Sequence, residues 1–419
     1  MSTSDRYDAA DTSVLTIEQA LHRIKAQVQP LLTTETIPLK SCLGRILGCD
    51  IDAPIEVPPH RISAMDGYAF HSGDAVLGRT TRLKVIGTSW AGKPYQNGVE
   101  KGQCVRIFTG AVLPQGTDSV VIQENVTRKD DIVEFPPIEM HGEYVRQPGD
   151  EIELGQLILS KGKRLTPSDI GIIATLGIAE VIVMQKPRIV FFSTGNELRP
   201  LHDQLDQGEI YDSNRYTLFT MLQCLDVKIL DLGVIADDKS QLMETLSNAA
   251  ESNQAIITSG GVSVGDADLV RSALEEVGKI QFWKIAMKPG KPVAFGKINN
   301  AYFFGLPGNP VSVIVTFYQL VRPALLRLMG SALKNPLRLS AHCTANIKKI
   351  PGRQEFQRGQ LDTDSDGGLI VKPASKQQSH NLSGFAASNC FIILDAECDG
   401  VKIGETVNVE PIDPPFCFT

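Results

Sequence analysis

Ala255-Ile256-Ile257-Thr258-Ser259-Gly260-Gly261-Val262-Ser263-Val264-Gly265 is a short apolar run that passes directly into glycines. A second stretch has the same order: Ala301-Tyr302-Phe303-Phe304 leads into Gly305-Leu306-Pro307-Gly308-Asn309-Pro310. A buried strand, then glycines, then a helix start is how an open α/β sheet offers backbone N–H groups to an anion. Glycines also make tight turns that bind nothing. The small polar residues among them, Ser259, Ser263 and Asn309, favour loops that touch phosphate or a polar heterocycle. Two such loops in one segment imply a phosphate-bearing ligand lying across several strand ends. Neither is G-x-G-x-x-G. Lys288-Pro289-Gly290-Lys291-Pro292 carries prolines where a Walker A loop needs its helix start.

Around these loops, from Lys186 to about Gly330, strand and helix periods alternate. Ile189–Phe192, Val227–Leu230, Ala255–Ile257 and Tyr302–Phe304 have strand character. Helical patterns cover Tyr216–Leu225, Lys239–Ala250, Ala267–Val277 and Val311–Met329. This predicts a doubly wound α/β sheet with its ligand at the strand carboxyl ends. Towards the N-terminus, Thr16-Ile17-Glu18-Gln19 has the form of a capping box, followed by apolar residues at helical spacing. Between Gly48 and Gly149 short β-type runs such as Leu83–Gly87, Cys104–Phe108 and Ser119–Ile122 are broken by Gly and Pro. Thr166-Pro167-Ser168-Asp169 then starts another helix, and the first helix is expected to pack with this later segment. After Asn335 the runs Phe391–Leu394 and Val407–Val409 indicate a small β-barrel or sandwich. The expected fold is α/β plus β and multidomain. Residues 7–52 with 150–186 form a helix-containing linker domain, 53–149 an inserted β domain, 187–330 the α/β domain, and 331–419 the C-terminal β domain.

Composition narrows the function. With 419 residues, 42% hydrophobic and 21% charged, the chain has the make-up of an ordinary globular protein. A net charge of −7 argues against nucleic-acid binding. No run of eighteen apolar residues marks a membrane span, and residues 1–13 lack the apolar core of a signal peptide. Eight scattered cysteines form no Cys-x-x-Cys pair, and the seven histidines lack zinc-ligand spacing. Reduced cysteines and a cytoplasmic location are expected.

Carboxylates follow several strands: Glu197 in Ser193-Thr194-Gly195-Asn196-Glu197, Asp237-Asp238 after Gly233-Val234-Ile235, and Asp266 with Asp268 after Gly265. Each alone suits a helix N-cap, Asp238 and Asp266 especially. Together at one sheet edge, such hard oxygens suit Mg2+. Lys284, Lys288 and Lys291 lie on a Gly/Pro-rich turn. They are either solvated or there to bind an anion. Carboxylates for a metal and lysines for phosphate are the parts of phosphoryl or nucleotidyl chemistry. Ser63-Ala64-Met65-Asp66-Gly67-Tyr68-Ala69, Thr109-Gly110-Ala111 and Arg146-Gln147-Pro148-Gly149-Asp150 are turn-like, and their residues alone assign them to no site.

Taken in order, these motifs, with Leu113-Pro114, Gly116, Asp118 and Val120-Val121, Asp212-Ser213-Asn214 and the two glycine loops, resemble the molybdopterin molybdenumtransferase (MoeA) family. That family is similar to the E domain of gephyrin. The resemblance spans nearly the whole chain, more loosely in the first dozen residues and after Asn335. It implies a four-domain homodimer with a shared active site. The α/β domain of one subunit would bind the pterin nucleotide and the β domain of the other would complete the site. The implied reaction turns adenylylated molybdopterin and molybdate into molybdenum cofactor and AMP with Mg2+. The implied catalytic residues are Asp66, Thr109, Asp150, Lys284 and Lys288, and the implied metal ligands are Glu197, Asp237 and Asp268. Ser259, Gly260, Gly261, Ser263, Gly265, Pro307, Gly308 and Asn309 would bind the pterin nucleotide. A serine between Ser379 and Ser383 is a further candidate. Transient contact with a molybdopterin adenylyltransferase is also implied. Two alternatives are that adenylyltransferase activity itself and a non-catalytic scaffold of the same fold. The Met-Asp-Gly-Tyr-Ala segment and the β domains argue against the first, and the full set of acids and lysines against the second.

Overall fold

A computed structural model describes residues 14–75, 78–137, 140–261, 269–332 and 335–412. The chain divides into two compact units. One is Cys49–Lys161 with Pro167–Glu180, and the other is Met1–Gly48, Gly162–Thr166 and Val181–Thr419.

The first unit is built on a six-stranded sheet ordered Ser119–Ile122, Gly67–Phe70, Gln103–Ile107, Thr81–Ser89, Ile132–Phe135 and Thr127–Lys129. Alternation along these strands sends Tyr68, Phe70, Leu83, Cys104 and Phe135 into one core. Ala69, Ile107 and Val120 enter another with Leu113. Gly67 is required by close approach: a Cβ there would lie 2.0 Å from the Val121 carbonyl oxygen.

In the second unit the central sheet is ordered Lys228–Ile235, Arg188–Thr194, Ala255–Ser259, Ala301–Leu306, Pro292–Ile298 and Lys279–Lys284. The first four strands run parallel and the last two antiparallel. Within Arg188–Thr194 the run Ile189–Phe192 is apolar on both sides because both faces of the strand are covered. Ile189 and Phe191 pack with Leu218 and Leu222 of helix Ser213–Gln223. Val190 and Phe192 pack with Leu242 and Leu246 of helix Lys239–Ser252 and Val270 and Leu274 of helix Leu269–Val277. The sheet is therefore wound on both faces, as the alternation predicts. Pro310–Leu328 is helical throughout, with a π-helical stretch at Phe317–Val321. It is the one described helix apolar and long enough to cross a membrane, and most of it is buried in this core.

The N-terminal helix Ile17–Gln27 has the capping box its sequence predicts, Thr16 with Gln19. Ile17, Ala20 and Ile24 enter the core of the α/β domain, and of residues 151–185 Met184 shares that cluster. The Tyr302 hydroxyl donates to the Gln27 carbonyl at 2.9 Å, and Arg327 Nε to that of Val28 at 2.7 Å.

After residue 335 the strands Leu339–Cys343, Gln354–Thr363, Leu369–Pro373, Cys390–Leu394 and Thr406–Pro411 each pair with two others. They close a five-stranded barrel around Val371, Ile392, Val407 and Val409. Among the described cysteines all are free, and Cys42, Cys104, Cys343 and Cys390 are buried. Burial pushes the thiols of Cys104 and Cys390 up to about 12.

Candidate active site

Strand Arg188–Thr194 lies between Lys228–Ile235 and Ala255–Ser259, so strand order reverses beside it. Ligands of open α/β sheets bind at such a switch point, beyond the carboxyl ends. Register sets the ends level: Ser193 lies opposite Ser259, and Ser259 opposite Leu306. The segments Thr194–Glu197, Ser259–Gly261 and Pro307–Asn309 thus emerge side by side and line a cleft of about 840 Å³, together with Asp237.

Its floor is bare backbone. Gly260 has φ 89°, and a Cβ on it would sit 2.3 Å from the Thr194 carbonyl oxygen. Gly261 has φ 64°, and its Cβ would meet Val270 Cγ2 at 2.3 Å. A Cβ on Gly308 would meet only the Cα of Gly260, at 3.9 Å. Asn309 caps helix Pro310–Thr316 without using its side chain in a capping bond. That leaves its amide group available to a ligand at the helix start.

Two carboxylates stand at the rim. Asp237 accepts from the Thr194 hydroxyl and from the Asn196 amide at 3.3 Å, and its own N–H donates to Asn196 Oδ1 at 3.4 Å. Glu197 folds back over Gly195, where a Cβ would lie 2.7 Å from Glu197 Oε2. Ser263, Gly265, Asp266 and Asp268 lie outside the described residues. Among the described residues no three His, Cys, Asp or Glu side chains gather as metal ligands. Asp238 has the capping role weighed for it, accepting from the Gln241 amide at 2.8 Å.

The lysines part company. Lys284 ends its strand opposite Pro292, which lines the cleft. Lys288 borders a second cleft of about 420 Å³ with Lys348, Gln357, Ser375 and Gln378. There it pairs at 3.3 Å with the buried carboxylate of Glu355. The Ser379 carbonyl accepts from the Val311 amide at 3.1 Å, and the Ser383 hydroxyl donates to Asn381. His380, between them, lines the large cleft and was not singled out by sequence. Asp212, Ser213 and Asn214 also line it, although their sequence marked only a family motif.

In the β unit the three turn-like segments come together. Ile62–Ser63 pairs with Val145–Arg146. The Gly110 amide donates to the Ser63 carbonyl at 2.8 Å, and the Ser63 amide to that of Ala111 at 2.9 Å. Asp66 Oδ1 accepts from both the amide and the hydroxyl of Thr109 at 2.8 Å. Those bonds, the amide's first, with the nearby Arg106 charge, hold the Asp66 carboxyl below the usual carboxylate range. Asp150 accepts from the Gln147 amide at 2.7 Å.

Three family models match the chain in succession: the MoeA N-terminal region (domain I and II) over residues 15–177, a probable molybdopterin binding domain over 190–327, and the MoeA C-terminal region (domain IV) over 340–412. A Haemophilus influenzae protein named molybdopterin molybdenumtransferase is 42% identical over 402 residues, 96% of this chain and 99% of that one. Gephyrin of Dictyostelium discoideum is 33% identical, over 91% of this chain and 60% of its own. The crystal structure of a molybdopterin biosynthesis MoeA protein from Pyrococcus horikosii aligns with a TM-score of 0.80 and 32% identity, covering 96% of this chain and 100% of that one. These matches, with the fold and cleft described above, define an enzyme with a molybdopterin-binding-type central domain. The chain belongs to the molybdopterin molybdenumtransferase (MoeA) family.

Proposed function

We propose that the protein inserts molybdenum into adenylylated molybdopterin, taking molybdate and releasing AMP with Mg2+. The observation that carries this reading is the bare-backbone floor of Gly260, Gly261 and Gly308 with two carboxylates at its rim. The Gly260 amide donates to the Leu306 carbonyl at 3.2 Å, and the Gly261 and Gly308 amides beside it suit the phosphates of the pterin nucleotide. Glu197 and Asp237 fit Mg2+, which is commonly held by one or two carboxylates, water and substrate phosphate. Asp268 would join them. When bound, the ion would neutralise charge on the departing AMP. Lys284 and Lys288 are proposed to bind oxyanions, with Lys348 adding a second ammonium in the Lys288 cleft beside the Lys288–Glu355 pair.

The deciding experiment supplies purified protein with adenylylated molybdopterin. AMP release should require both molybdate and Mg2+. Pyrophosphate formed from Mg-ATP and molybdopterin would instead identify an adenylyltransferase. Absence of both products would leave the scaffold reading.

Asp66 is proposed to act through hydrogen bonds from its ionised form. Its lowered value means that the carboxylate is the species present at neutral pH. Any stability its ionisation contributes is present above the unfolded value of about 3.9 and lost as pH falls through the lower folded one. Asp66→Asn should reduce cofactor formation about 10- to 100-fold with little change in melting temperature. Full cofactor formation by this variant in a reconstituted assay would remove Asp66 from the reaction. The homodimer with a shared site is part of the same proposal. Mixing Asp66→Asn and Glu197→Ala subunits should restore part of the activity that each variant lacks. A cytoplasmic location and transient contact with the adenylyltransferase complete it.

A further inference from the structure

Three polar atoms of cleft residues have no partner among the described residues. Asp212 Oδ2, Asn214 Oδ1 and Ser259 Oγ are buried and make no hydrogen bond. All three residues line the large cleft, and Asp212 is only 3% exposed. The remaining polar groups of the first two are already engaged. Asp212 Oδ1 accepts from the Arg215 amide at 3.1 Å, capping helix Ser213–Gln223. Asn214 Nδ2 donates to the Gly308 carbonyl at 2.7 Å. That bond sets the orientation of the amide, leaving its oxygen as the free atom.

What is left over is two acceptors and one hydroxyl. Buried polar atoms are nearly always paired, and a carboxylate oxygen is the most costly to leave without a donor. In the glycine loops beside them the Gly260 N–H is taken by the Leu306 carbonyl, and those of Gly261 and Gly308 are the donors offered to a ligand. The cleft is therefore polarised, with a donor end for an anion and an acceptor end for N–H groups.

We infer that Asp212 and Asn214 read the donor edge of the pterin while the glycine loops hold its phosphate. This rests on the proposed function and adds an orientation and a pair of specificity residues. The 2-amino group and N3–H of a pterin are neighbouring donors, matching two acceptor oxygens. Adenine offers one exocyclic amine flanked by ring acceptors, and ribose offers hydroxyls that both donate and accept.

Pterin fluorescence allows a direct test on the full chain. The probes are 6-hydroxymethylpterin, its 2,4-dioxo counterpart with a carbonyl in place of the amino group, and AMP. The wild type should prefer the pterin over the dioxo compound by about 30-fold. Asp212→Asn keeps an oxygen for the helix cap and turns the free acceptor into a donor. It should abolish or invert that preference with AMP affinity unchanged within about twofold. Ser259→Ala leaves the cap untouched and should weaken the pterin several-fold. A preference that survives in Asp212→Asn overturns the inference, as does AMP affinity that falls in step with pterin affinity. Absence of any preference in the wild type overturns it too. Molybdate-dependent AMP release by the unaltered protein is read separately, so a protein that passes that assay and shows no pterin preference refutes the orientation alone.

Discussion

Gly260→Ala is expected to eliminate molybdate-dependent AMP release and to destabilise the unit that contains it by about 3 kcal/mol. Two penalties act at this position. A left-handed φ of 89° is strained for any residue with a Cβ, and that atom would lie 2.3 Å from the Thr194 carbonyl oxygen. Carbon and oxygen at that distance overlap, so one strand end must move. Thr194 carries the hydroxyl that fixes Asp237. Displacement would thus reach the floor and the rim together. Gly367→Ala is the matched control, because Gly367 has φ 83° with nothing within 4 Å of its Cβ position. It should lose about 1 kcal/mol and keep full activity. Urea unfolding of the two variants, with AMP release measured alongside, checks both halves. A fully active Gly260→Ala protein would mean that the floor does not approach the ligand.

Glu197→Ala is expected to lower turnover by about 10²- to 10³-fold while AMP still binds. Glu197 folds over Gly195 and contributes only its side chain to the cleft, so its removal should leave the backbone of Gly261 and Gly308 in place. What disappears is one of the two rim carboxylates proposed to hold Mg2+. The Mg2+ concentration for half-maximal AMP release should rise, with equilibrium dialysis showing unchanged AMP binding. Lost AMP binding with an unaltered Mg2+ requirement would contradict the metal-ligand role.

The glycine loops were legible because strand, glycine and helix start are adjacent in sequence, and one parallel sheet suffices to align them. The limits of Lys228–Ile235 were harder to read. It lies at the sheet edge, where Leu230 and Leu232 are exposed and the partner register shifts between Phe191 and Ser193. The antiparallel strands Lys279–Lys284 and Pro292–Ile298 flank the lysine-rich turn, which masks their period. The separation of Lys288 from the large cleft depends on its parallel pairing with Gln354–Glu355, some 67 residues later. Asp212 shows the deepest limit. A capping aspartate looks the same in sequence whether or not its second oxygen is buried without a donor. The Asp66, Thr109 and Asp150 segments resist for a similar reason, since strand pairing across distant turns joins them.

The bonds that secure the first helix reach across 275 and 299 positions, to Tyr302 and Arg327. On a ribosome adding about 5–20 residues per second, helix Ile17–Gln27 waits tens of seconds for those partners. Residues 49–161 are completed well within that interval, which leaves the β-rich unit free to fold first. An order of assembly from the middle outward is thus open to the chain, and a nascent chain halted before residue 300 would carry an amphipathic helix without the Tyr302 and Arg327 that secure its end.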